Sequence, residues 1–166
     1  MEWLTYIEKA FWFGTAAVGF GILFNVPKRT LISIFALGAI GGLAKVGIVN
    51  VGYGAVLGSF VGAILIGFLS HITSWWQVSP PIVFSIPASI PMVPGVSTYK
   101  MMTGILQLTM EKDTTHYNEI LHNTVHHGIT ALFILLSLAV GAALPLLLVR
   151  KKSGKELQGI VFHKGE

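Results

Sequence analysis

Long apolar runs alternate with short polar stations along this chain, and the lengths of the runs set the architecture. Apolar residues dominate from about Leu4 to Val26, Leu31 to Val49, Tyr53 to Ile72 and His127 to Val149. Each run is close to the ~20 residues that a helix needs to cross the hydrocarbon of a bilayer. A further run over residues 80–110 is also apolar, yet it carries five of the chain's seven prolines. Each interior proline removes a backbone donor and clashes with the preceding turn, so Pro87, Pro91 and Pro94, followed by Gly95, predict a broken span. The expected fold is an all-α integral membrane protein of about five transmembrane helices, the fourth interrupted by the Pro/Gly-rich segment. Its spans fall near residues 4–26, 31–49, 53–72, 80–110 and 127–149, and residues 151–166 form a cytoplasmic tail.

Composition agrees with this reading. Hydrophobic residues make up 53% of the chain and charged residues 11%, against about a quarter charged in soluble domains. The net charge of +4 raises the question of nucleic acid, but Arg150, Lys151, Lys152 and Lys155 follow the last apolar run, where positive charge marks a cytoplasmic flank. With the N-terminus outside, the inner flanks also receive Lys28, Arg29 and Lys164, while the outer flanks hold Lys9 and Lys112. Topology accounts for the basic balance, and the bilayer is the expected partner. Cysteine is absent, which excludes disulfides and thiolate chemistry. Glu2 and Glu8 precede the first run, so no cleavable signal peptide is expected.

The break is the first candidate for chemistry. In hydrocarbon, interrupted backbone persists where protein or a water-filled cavity satisfies its polar groups, and such interruptions point to binding sites in transporters. Gly95, Val96, Ser97 and Thr98 would open a half-helix whose N–H groups favour a carboxylate. Ser97 or Thr98 could cap that helix or donate to a ligand, and Tyr99 follows. Lys100, about one turn on, adds a cation or reaches the interface. Lys45, an ammonium within the second run, either snorkels to the nearby end at Asn50 or faces a polar cavity. Asn25 either caps the first helix or contributes to the same site.

Two further patterns stand apart. Gly54, Gly58 and Gly62 recur every four residues, which predicts a helix face for close packing, with a helix of this chain or of another copy. Glu119, His122 and His126 fall within about 60° of one another on a helix, and this is a set that zinc can use; the alternative is a solvated connection. No phosphate loop, nucleophile elbow or HExxH is present, so neither an enzyme nor a cofactor is expected.

Two motifs resemble those of a known family. Ala17-Val18-Gly19-Phe20 leads into Phe24-Asn25-Val26-Pro27, and Ile90-Pro91-Met92-Val93-Pro94-Gly95-Val96-Ser97-Thr98-Tyr99 comes much later. Together they resemble the small, YjjB-like subunit of the threonine/serine exporter (ThrE-type) family, over most of the chain up to about Arg150. The resemblance implies export of threonine and serine, or of succinate, across the bacterial inner membrane, beside a larger YjjP-like partner. It carries over at Asn25, Pro27, Pro91, Pro94, Gly95, Ser97 and Tyr99. It also implies two homologous halves of opposite orientation, with the site between them. An accessory subunit that assembles a transporter without touching substrate is the alternative, and an intramembrane metal enzyme a third.

Overall fold

In the computed structural model, residues 2–111 and 114–162 are described, and they contain helices and turns with no strand. The helices are α1 (Glu2–Leu23), α2 (Leu31–Asn50), α3 (Gly54–Gln77), α4 (Ile82–Ser89), α5 (Gly95–Met110) and α6 (Thr114–Phe162). The chain is thus all-α, as its run lengths predict. Three stretches, Lys28–Asn50, Gly54–Gln77 and His116–Pro145, are long and apolar enough to cross a membrane, and the bent pair Ile82–Met92 and Gly95–Met110 makes a fourth. The fifth expected span, α1, has the length, but Glu8 and Lys9 dilute its apolar run.

Small residues bring these helices together. A side chain at Gly38 of α2 would meet the Ala17 Cβ of α1 at 2.5 Å, and one at Gly42 would meet the Phe13 ring. Between α2 and α3, a Cβ on Gly58 would lie 2.8 Å from the Lys45 carbonyl oxygen and one on Gly62 would lie 2.7 Å from that of Gly41. Close approach of this kind is how helices associate where lipid is as apolar as leucine. Gly54 does not belong to this face. It opens α3 at φ +82° with nothing within 4 Å of its Cβ position, so it is a turn glycine, and the four-residue repeat mixes one conformational role with two packing roles.

Register fixes the path of the chain. Ala63 meets Gly141 and Gly67 meets Pro145, so residue numbers rise together and α3 and α6 run in the same direction. In contrast, Met101 meets Gly128 and Gly104 meets Thr124, which makes α5 and α6 antiparallel. The chain must therefore pass from one end of the bundle to the other between α3 and α6. That passage is made by α4 and the 3₁₀ turn Ile90–Met92, which pack between α1, α2 and α3. Ile34, Ile66, Phe84, Ala88, Met92, Ile134 and Leu138 form the core around them.

α6 is 49 residues long, about 74 Å at 1.5 Å per residue. Gly141 is 27 residues beyond its start, whereas the matching Ala63 is nine residues beyond the start of α3. A hairpin of α5 and the first turns of α6 consequently projects about 25 Å past that end of the bundle. The polar segment that carries Glu119, His122 and His126, placed on a helix by its spacing, is the first part of this helix, and α6 also continues through the expected tail to Phe162.

A helix break held by Lys45

Proline chemistry explains the break in detail. Pro87 is accommodated within α4, and Pro91 lies in the 3₁₀ turn that follows. Val93, ahead of Pro94, is extended at φ −56° and ψ 138°, the conformation that a following proline favours. Pro94 at φ −78° and ψ 61° makes an inverse γ-turn, closed by the Gly95 N–H donating to the Val93 carbonyl at 2.8 Å. The two flanking segments meet at 53°.

The carbonyl at the end of the 3₁₀ turn is satisfied from another helix. Lys45 Nζ donates to the Met92 carbonyl oxygen at 2.7 Å, and the Met92 side chain is fully buried. Lys45 is only half-buried, so it neither snorkels freely nor stands unpaired. A cation at this position also complements the negative end of the α4 and 3₁₀ segment. Met92 Sδ lies 2.9 Å from the Cβ position of Gly62, so Lys45, Gly62 and the break form one contact. Pro91 lines a cavity of about 290 Å³ with Lys9, Trp12, Phe13 and Ala16 of α1.

The remaining candidate residues are distributed along the molecule. Gly95 and Val96 open α5 at the surface, and Ser97 is half-buried. Thr98 is tied to its own turn, since its N–H and its hydroxyl both donate to the Pro94 carbonyl at 3.0 Å. The N–H groups of Val96 and Ser97 belong to the first helical turn, which has no intrahelical acceptor for them. Tyr99 and Lys100 are exposed on the projecting hairpin. Lys100 lines a cavity of about 420 Å³ with Thr103, Gln107, Asn123, Thr124 and His127, so it does not converge with Lys45.

Asn25 lies elsewhere. At φ +54° it ends α1, with its N–H donating to the Ile22 carbonyl and that of Val26 to the Gly21 carbonyl. This is a Schellman stop, about 14 Å along α1 from the level of Ala16. The expectation that Asn25 joins the break is therefore corrected in favour of its capping role. The zinc set is corrected too. Glu119, His122 and His126 are exposed on α6, and among the described residues no group of three or more His, Asp or Glu could hold a metal ion.

Sequence reasoning missed the α1 wall of the site and the inner polar contacts. Arg29 Nη2 donates to Ser79 Oγ at 3.2 Å and Gln77 Nε2 to Ser33 Oγ at 2.6 Å, joining α2 to the end of α3. The Ser59 and Ser70 hydroxyls are buried in α3 without a hydrogen-bond partner. Trp12 and Lys9 could have been noticed from their one-turn spacing, but Trp12 reads equally as an interfacial aromatic.

No solved structure matches the chain. The family model described as Threonine/Serine exporter, ThrE, matches residues 9–148, a range that includes α2, α3, α4, α5, the break and most of α1. An all-helical bundle with a proline break at its centre, matched over that range, belongs to the threonine/serine exporter family.

Proposed function

We propose that this chain is one half of an inner-membrane exporter of small carboxylates or amino acids, with threonine, serine and succinate as the leading substrates. It works beside a larger YjjP-like subunit, with its N-terminus outside and its C-terminus in the cytoplasm. The observation that carries this reading is the Lys45 ammonium on the Met92 carbonyl inside the bundle. A cation held among apolar helices by a single backbone oxygen retains two N–H donors for a carboxylate. A substrate that takes up Lys45 releases Met92, and the break can then change its angle. The partly open N–H groups of Val96 and Ser97 lie immediately beyond, in the segment that the family motif marks.

The test is efflux of preloaded labelled threonine, serine and succinate from cells that express the chain alone or with a YjjP-like partner. Efflux that requires the partner, and that falls at least tenfold in Lys45→Met while Ser97→Ala reduces it several-fold, supports the reading. Unchanged efflux from a normally assembled complex of both variants assigns the chain an assembly role instead.

A further inference from the structure

A second site lies at the end of the bundle where α1 begins and α2 ends. Thr5, Tyr6 and Lys9 of α1 face Gly47, Asn50 and Val51 across a cavity of about 520 Å³. Asn50 Nδ2 donates to Tyr6 Oη at 2.7 Å. That bond fixes the ring and leaves the phenol proton free to donate into the cavity. Among the described residues, the Lys9 ammonium has no partner and no acidic side chain lines the cavity. One wall therefore offers a cation and an O–H donor three residues apart on one helix face.

The opposite wall has the other polarity. It is the C-terminus of α2, where the Val51 N–H donates to the Gly47 carbonyl and the Gly52 N–H to the Val49 carbonyl. A helix C-terminus carries roughly half a negative charge, and Asn50 adds a side-chain carbonyl oxygen there. Lys9 also lines the apolar cavity that reaches Pro91, so the two cavities share a residue.

We infer that this pocket binds a small zwitterion, its carboxylate on Lys9 and Tyr6 and its ammonium against Asn50 and the end of α2. The inference rests on the export reading, for which it supplies a station between the break and the outer face. A ligand with two carboxylates and no ammonium meets the wrong polarity on the α2 wall.

Equilibrium binding of labelled L-threonine to the full chain in lipid nanodiscs tests this, with L-threonine amide, which lacks the carboxylate, as competitor. The wild-type chain is expected to favour threonine over the amide at least tenfold. With the carboxylate site at the break removed by Lys45→Met in both chains, Lys9→Gln collapses that preference because threonine affinity falls while amide affinity does not, a pattern that general loss of structure cannot give. Tyr6→Phe weakens threonine binding several-fold. Full preference in Lys9→Gln, or no threonine binding by the wild-type chain, overturns the pocket. Efflux measured in parallel keeps the two readings apart: wild-type efflux with an intact preference in Lys9→Gln removes the pocket alone, whereas no efflux of any of the three solutes removes the export reading.

Discussion

Lys45 joins two parts of the chain 47 residues apart through a single hydrogen bond. Its removal leaves the Met92 carbonyl without that donor in a place where water is scarce, and an unsatisfied buried polar group costs about 1–3 kcal/mol. Lys45→Met is therefore expected to lower the thermal stability of the purified chain measurably, and Lys45→Arg to restore much of it, as read by intrinsic tryptophan fluorescence on heating. Gly95 provides the contrast. Nothing lies within 4 Å of its Cβ position and its φ is not positive, so Gly95→Ala should leave stability within about 0.5 kcal/mol, the usual range for a surface substitution. Any loss of efflux in Gly95→Ala then reports on function rather than folding. None of this pairing is visible in the sequence. The lysine stands out because charge is costly at membrane depth, but its acceptor is a backbone oxygen, and backbone carries no residue-type signal.

At the scale of elements, glycines separate into contacts and turns. A Cβ on Gly62 would meet both the Gly41 carbonyl and Met92 Sδ, and overpacking of a close crossing costs typically 1–3 kcal/mol. Gly62→Ala and Gly58→Ala should each destabilise the bundle by about that amount, whereas Gly54→Ala should act through backbone strain at its left-handed φ. Thermal melts of the three variants, repeated with Met92→Ala in the Gly62→Ala background, distinguish the routes, because Met92→Ala removes the sulfur from the clash. A similar relation holds in the hairpin, where Gly104 leaves room for Thr124. The break itself was legible because Pro91 and Pro94, followed by Gly95, remove successive backbone donors, although Pro87 alone does not interrupt α4. The role of Gly54 was not, because a period of four describes spacing and is silent about φ. The helical character of the polar segment ahead of the last span was legible from its spacing, and α6 begins at Thr114; that this helix runs unbroken into the span was not, because a polar helix that stops at an interface and one that continues have the same composition.

The whole molecule is defined by direction. With α3 and α6 parallel, residues near the start of α3 and those in the projecting hairpin lie toward one end, and Arg29 and Ser79 toward the other. Because the chain has no cysteine, single cysteines report this directly. Val51→Cys and Asn118→Cys should react with a membrane-impermeant maleimide added to intact cells, while Lys28→Cys and Val78→Cys should react only after permeabilisation. Labelling of Val51→Cys and Asn118→Cys from opposite sides would contradict the parallel register. Hydrophobic run lengths predict the long helices, but only the pairing of Ala63 with Gly141 and Gly67 with Pro145 shows that α3 and α6 run in the same direction.

The length of α6 has a mechanical consequence. Gly67 and Pro145 hold the helix against α3, and some 30 residues separate that contact from the tip of the hairpin, a distance of about 45 Å. A helix of that length works as a lever with its fulcrum inside the bundle. A tilt of about 5° at the fulcrum would sweep the tip through about 4 Å, the arm length being that given by the helical rise. Any tilt at that fulcrum would therefore appear enlarged at the far end of the arm.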